Sequence, residues 1–302
     1  MKDNKTNVVI GSMRIPFLVL PPTCVALGLA VSIYDGFAIN FFHLALILIG
    51  AVCAHISVNA LNEYDDFKTG LDLKTIQTPF SGGSKSIPEN PKNANHALIV
   101  GIVTLTIVIG VGIFFLYLRG IKLLPIGLFG IFIVIAYTKW ITKSPVFCLI
   151  APGIGFGHLM VMGTSFALTG IYSWTSFLVS MVPFFLVSDL LLLNQFPDVE
   201  ADQSIGRKHL PITIGKNACI VVYGAFLILA YFSILLGWVF GLIPIHSLIT
   251  LICIFGAVHT FLGVKKNAES IKDLIPFMGK NVVLILATHI LLFTGLIWGA
   301  FS

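Results

Sequence analysis

The chain has 302 residues, of which 57% are hydrophobic and 10% charged, whereas a soluble protein carries about 25% charged residues. That balance excludes a soluble enzyme, and the long continuous apolar runs, without period-two alternation, exclude a membrane barrel. The formal net charge of +5 comes from basic residues scattered among short segments, which excludes a nucleic-acid-binding patch.

Met1–Arg14 is polar and has no short apolar core followed by a cleavage site, so no removable signal peptide is expected and the first membrane helix serves as the signal. A helix needs roughly 20 apolar residues to cross a bilayer. Nine segments are assigned on that basis: 15–33, 41–62, 96–117, 122–138 (the shortest), 147–169, 174–196, 217–240, 246–264 and 281–301. The expected fold is an all-α integral membrane bundle forming a single domain over residues 1–302. Cys24, Cys53, Cys148, Cys219 and Cys253 lie within the apolar runs with no CxxC spacing and read as packing residues.

Lys and Arg set the orientation. With the N-terminus inside, 16 of the 18 basic residues fall on the inner side and only Arg119 and Lys122 outside. Omitting one helix would scramble this sorting, so the bias supports nine crossings, with the C-terminus outside.

Two polar clusters close long apolar runs. The first runs from Asn62 through Asp66 to Asp72, and the second from Asn194 through Asp198 to Asp202. Both read Asn-x-x-x-Asp followed by a further Asp, and they are 132 residues apart. Four helices separate them, which puts both on the cytoplasmic side. The chain therefore reads as a parallel repeat, residues 15–138 and 147–264, with a ninth helix at 281–301; an inverted repeat would place the motifs on opposite sides.

A single such motif at a membrane rim is ordinarily an interfacial anchor. Two at matching positions on one side are expected to hold divalent metal, because carboxylates and amide carbonyls are hard oxygen ligands. Asn194, Asp198 and Asp202 share one face of a helix if it continues through them, with a kink from Pro197. Asn62 and Asp66 also share a face, whereas Asp72 needs the helix to stop near Gly70 and the chain to fold back.

Between the second and third crossings lies the longest polar segment, containing Thr78-Pro79-Phe80-Ser81-Gly82-Gly83-Ser84-Lys85. Its length allows a cap over the site, with the Gly82-Gly83 turn as the expected moving part. Lys74, Lys139, Lys143, Arg207 and Lys208 are the cations expected to contact a diphosphate, Arg207 through its bidentate fork. Any cytoplasmic loop is basic by topology, so this assignment competes with that simpler cause. Asp189 lies out of phase with the second motif and reads as a helix-packing or interfacial residue. His158, His259 and His289 read as core histidines, and His55, two turns before Asn62, as one that lines the cavity.

These residues resemble the UbiA superfamily of intramembrane prenyltransferases over nearly the whole chain. Asn62–Asp72 resembles its first Asp-rich motif. Asn194–Asp202 with Gly206-Arg207-Lys208-His209-Leu210-Pro211 resembles the second and its continuation. Thr78–Ser84 is similar to the turn of the branch containing the 1,4-dihydroxy-2-naphthoate prenyltransferases of menaquinone synthesis. The resemblance implies two Mg²⁺ ions bridging the aspartates and a polyprenyl diphosphate, with Asp66 and Asp198 catalytic. It also implies ionisation of the allylic C–O bond and attack by a small aromatic acceptor. Two departures stand out. Glu63 replaces a frequent Asp, and Gly153-Ile154-Gly155-Phe156-Gly157-His158 lacks the acid that opens the fifth helix in that branch. The second puts the acceptor in question, with a porphyrin or a glycerol-phosphate lipid as the other family acceptors. A cation-coupled transporter, from a different class, would call for charges near the bilayer midplane and an inverted repeat.

Overall fold

The computed structural model describes residues 5–302; Met1–Asn4, the start of the polar N-terminal segment and the site of Lys2, lie outside the described residues. The described chain is helical, in thirteen α-helices. They are α1 (Lys5–Met13), α2 (Leu20–Tyr34), α3 (Phe41–Lys68), the short α4 (Ser86–Glu89), α5 (Ala94–Arg119), α6 (Leu124–Ala136), α7 (Pro145–Gly153), α8 (Gly163–Thr169), α9 (Trp174–Asn194), α10 (Val199–Ser204), α11 (Leu210–Val239), α12 (Cys253–Asn267) and α13 (Ile271–Phe301). A π-helical stretch, Ile154–Met162, joins α7 to α8.

Eight helical segments are long and apolar enough to cross a membrane: Ile15–Tyr34, Phe41–Lys68, Pro91–Arg119, Pro145–Thr169, Trp174–Asn194, Leu210–Val239, Ile245–Asn267 and Ile271–Phe301. Exposed side chains such as Phe41, Phe42, Ile228 and Phe255 lie on these helices and suit contact with lipid. The expected fourth crossing corresponds to Ile121–Ala136, a shorter apolar segment. At 1.5 Å per residue it spans about 24 Å, less than the roughly 30 Å of hydrocarbon.

Helix α9 is the innermost. Val182, Leu186, Leu192 and Leu193 are almost wholly buried in a core shared with α2, α11 and α13. Close approach explains Gly153 and Gly157 in the Pro145–Thr169 segment. A Cβ on Gly153 would lie 2.2 Å from the Phe184 carbonyl oxygen of α9, and one on Gly157 2.5 Å from that of Ser180. They let the α7–π segment press against α9, leaving Gly155 and Phe156 on the wall of an internal cavity. His158 turns to Ser180 Oγ at 2.7 Å.

Candidate active site

The first motif is built by a helix that stops. The Thr69 amide donates to the Asp65 carbonyl at 2.9 Å, and Gly70 takes left-handed φ of 74°, which ends α3. A single 3₁₀ turn, Leu71–Leu73, then carries Asp72 back so that it is only 3% exposed. Asn62, Asp66 and Asp72 all line one cavity of about 420 Å³. The Asn62 amide Nδ2 donates to Thr138 Oγ1 at 3.1 Å, which leaves its carbonyl oxygen as the ligand-type atom.

The second motif forms differently from the continuous kinked helix expected. Helix α9 ends at Asn194. Pro197 has no amide hydrogen and its ring would strike the carbonyl of Leu193 in a helix, so the chain tightens, with the Phe196 amide bonded to the Leu193 carbonyl at 3.1 Å. Asp198 then occupies the N-cap position, without a side-chain cap bond, of a new short helix, α10, that carries Asp202. The break still brings Asn194, Asp198 and Asp202 to the same cavity as the first motif.

Arg207 ties the two motifs together. Its guanidinium bonds Asp66 Oδ1 through Nη2 and Asp202 Oδ1 through Nη1, the latter at 2.8 Å. His209 Nε2 meets the other Asp202 oxygen at 2.9 Å. The glycine turn is the second bridge: the Gly82 amide donates to Asp198 Oδ2 at 3.0 Å. Gly82 and Gly83 have φ of 78° and 74°, and a Cβ would come 2.2 Å from the Ile76 carbonyl oxygen or 2.7 Å from Asp72 Oδ1, so both positions require glycine.

Glu63, 1% exposed, anchors this turn. It accepts from the Ser84 amide at 2.9 Å and Ser84 Oγ at 2.7 Å, and faces Arg14 Nε at 3.5 Å. Lys85 Nζ completes the fastening, on the Asp72 carbonyl at 2.5 Å and Thr75 Oγ1 at 2.7 Å. The turn expected to move is thus pinned on both flanks in this state. Hydrogen bonds to a charged acceptor contribute about 1.5–3 kcal/mol. Glu63→Gln is therefore expected to speed amide exchange at Ser84 by about tenfold or more. Unchanged protection in deuterium-exchange mass spectrometry would contradict the anchor.

Three oxygens fit a hard cation. Asp72 Oδ2, Asn194 Oδ1 and Asp198 Oδ1 are buried with no hydrogen-bond partner. Burial first, and then Glu63 for Asp72 and Asp202 for Asp198, push both carboxyls up to about 7. Among the described residues, no three or more His, Cys, Asp or Glu side chains are grouped closely enough to hold an ion by themselves. Such a site suits Mg²⁺, which takes one or two carboxylates and fills its shell with water and phosphate.

Of the five cations expected at the site, only Arg207 lies on the cavity wall. Lys74, Lys139, Lys143 and Lys208 are solvent-exposed and off that wall; Lys74 Nζ bonds Ser204 Oγ at 3.0 Å. Clustering of basic residues on one side is also what the charge bias of membrane-protein topology produces. Sequence reasoning missed Arg14, which it counted only for sidedness, and gave no role to Glu63 or His209. Proximity of His209 to the second motif was the one available signal, since Arg14 reaches the site only through folding. Asp189 is fully buried and off the cavity wall, as its helical phase implied. Beyond the polar end the cavity runs between apolar walls to Phe115, Leu123 and Ala167 near the opposite ends of α5, α6 and α8.

The model of the UbiA prenyltransferase family matches residues 19–280. Among characterised proteins, 1,4-dihydroxy-2-naphthoate octaprenyltransferase of Bacillus subtilis (strain 168) is 28% identical over 231 residues, covering 76% of this chain and 70% of that protein. A solved digeranylgeranylglyceryl phosphate synthase superposes with a TM-score of 0.66 at 17% identity, covering 97% of this chain and 99% of the other. A UbiA homologue from Archaeoglobus fulgidus, solved with DMAPP and Mg²⁺, superposes with a TM-score of 0.64 at 15% identity, covering 93% and 99%. These likenesses are to the fold.

Proposed function

The chain belongs to the UbiA prenyltransferase family, and we propose that it transfers an isoprenyl chain from a polyprenyl diphosphate to a hydroxylated aromatic acceptor, a quinone precursor, within the membrane. The observation carrying this reading is the meeting of two distant Asn/Asp motifs at one end of an apolar cavity, with Asp72, Asn194 and Asp198 each presenting an unpaired oxygen. Asn62, Asp66 and Asp72 from α3 and its turn, and Asn194, Asp198 and Asp202 from the second motif, would hold two Mg²⁺ ions. When bound, the metal neutralises charge on the leaving diphosphate.

The remaining roles fall to the chain's own side chains. Arg207 sits between the motifs with a fork suited to phosphate oxygens. The turn held by Glu63 covers the carboxylates and shields the reacting bond from water. The apolar walls between Val108 and Phe115 of α5 and the facing residues of α6 hold the donor's tail. The allylic C–O bond ionises to diphosphate and an allylic cation, the acceptor's ring carbon attacks that cation, and a proton or CO₂ leaves the ring. The 28% identical Bacillus relative, named for its naphthoate substrate, supports an aromatic acceptor.

The test is purified protein in detergent with radiolabelled geranylgeranyl or farnesyl diphosphate and a panel of acceptors that includes a glycerol-phosphate lipid and a porphyrin. Mg²⁺-dependent diphosphate release with an aromatic acceptor is the expected result. No release with any donor would end the enzymatic reading.

Metal binding carries its own pH dependence. Asp72 and Asp198, with carboxyls near 7 instead of 3.8, are protonated below that pH, and metal must displace those protons. Mg²⁺ affinity is thus full above about pH 7 and falls by about tenfold per pH unit per proton displaced below it. The sign for metal-free stability is opposite. These carboxyls keep protons that the unfolded chain has lost, so stability declines as pH rises from about 4 to about 7. Equal Mg²⁺ affinity at pH 6 and pH 8 would contradict the assignment.

We further infer nine crossings, counting Ile121–Ala136, with the two motifs cytoplasmic and the C-terminus outside. A topology reporter fused after Ser302 is expected to report the outer side; a cytoplasmic signal would refute the count.

A further inference from the structure

Of the polar atoms on the cavity wall that stay unpaired once both motifs are assigned, two share one face of α3. His55 and Asn59 stand one helical turn apart on α3, and both line the cavity between the carboxylate end and the apolar channel. His55 is 8% exposed and its ring Nε2 has no hydrogen-bond partner, nor has the Asn59 amide Nδ2. Their neighbours on the wall, Ala51, Ala54 and Val58, are apolar. An unpaired buried polar group is costly, and two on one face of one helix point to a ligand that pairs them.

That ligand is not the donor. The prenyl tail is hydrocarbon and would leave both atoms unpaired. The diphosphate belongs with the carboxylates, and Asn59 precedes Asp66 by about 10 Å of helical rise. Nor does a second phosphate suit this stretch. The two cations on the cavity wall, Arg14 and Arg207, are already paired with Glu63 and with Asp66 and Asp202. What the wall adds is an aromatic face. Phe156 meets the His55 ring edge-on, with centroids 5.2 Å apart at 68°. Phe156 comes from the π-helical stretch, a backbone form concentrated at functional sites, and faces the cavity because Gly153 and Gly157 seat that stretch on α9.

We propose that His55, Asn59 and Phe156 form the acceptor subsite and select a hydroxylated aromatic ring. The ring packs on Phe156 and the His55 imidazole. One ring oxygen accepts from Asn59 Nδ2, and a second hydrogen-bonds His55 Nε2. This assignment rests on the prenyltransferase reading above and gives its acceptor a place and a chemical class.

The experiment measures steady-state kinetics of the full-length protein with farnesyl diphosphate and 1,4-dihydroxy-2-naphthoate as probes, for the wild type, His55→Phe and Asn59→Leu. Each substitution keeps a side chain of similar shape and removes that residue's two polar atoms. The expected result is a KM for the naphthoate raised about tenfold in each variant, with the KM for the donor unchanged, since a lost hydrogen bond of this kind is worth about one power of ten. His55→Gln, which restores a polar group, is expected to recover part of the loss. An unchanged naphthoate KM in both variants, or donor and acceptor KM rising together as in a loosened fold, would overturn the subsite. A wild type that releases diphosphate from no donor would instead overturn the underlying reading, and the subsite with it.

Discussion

Asp66→Asn and Asp198→Asn each lower turnover at saturating Mg²⁺ by about a thousandfold, the scale of losing one preorganised electrostatic contact to a developing charge. Both substitutions keep the shape and one carbonyl oxygen and remove the charge. Asp198 is the sharper case. One of its oxygens is engaged by the Gly82 amide at 3.0 Å and the other is buried without a partner, so the carboxylate is oriented and half-free. Asp65 supplies the internal control, because it adjoins Asp66 on α3 yet does not line the cavity. Asp65→Asn is expected to stay within about twofold of wild type, the behaviour of a surface substitution. Steady-state assays of the three variants decide the matter. Wild-type activity in both Asp66→Asn and Asp198→Asn would mean that the motifs do not hold the metal.

Arg207→Ala produces the largest stability change, and it appears when metal is removed. The guanidinium is the shared partner of Asp66 and Asp202, whose side chains are only 11% and 5% exposed. Removing one member of a buried ionic group costs about 3–5 kcal/mol, because the remaining charges lose their compensation. In EDTA the variant is therefore expected to unfold several degrees below the wild type. If Mg²⁺ binds the folded carboxylates as proposed, it supplies the missing positive charge, and its addition should raise the Tm of Arg207→Ala more than that of the wild type. Turnover is expected to fall as well, since the proposed diphosphate site would lose the guanidinium fork between the two motifs. Thermal unfolding with and without Mg²⁺ reads both effects. Equal Tm in EDTA for variant and wild type would show that Arg207 does not join the motifs.

Much of this site was legible because membrane sequences restrict where charge can appear. In a chain with so few charged residues, Asn62, Asp66, Asn194 and Asp198 at the ends of apolar runs were conspicuous, and Gly70 marked the end of α3 through its need for left-handed φ. The break after Asn194 was harder. Pro197 announces a disruption, but a kink and a stop look alike until the Phe196 amide is seen to turn back on Leu193. One-turn spacing is equally compatible with a continuous helix, although a separate short helix delivers Asp202 to the same place.

The cations show a different limit. Counting Lys and Arg near the motifs cannot separate a phosphate ligand from ordinary cytoplasmic charge, and four of the five chosen stand outside the cavity wall. Arg14 lies 49 residues before Glu63 and meets it only through tertiary packing. Likewise, Glu63 stood out only as a replacement for a frequent Asp, whereas its hydrogen bonds to Ser84 make it the anchor of the glycine turn.

The central claim is that the two motifs each hold a divalent ion against one diphosphate. Mn²⁺ binding followed by electron paramagnetic resonance, with a non-reactive thiodiphosphate analogue of the donor present, tests it most directly. The wild type is expected to bind two Mn²⁺ per chain in the presence of the analogue, and Asp66→Asn and Asp198→Asn one fewer each. Two bound ions in both variants, or none in the wild type, would contradict it.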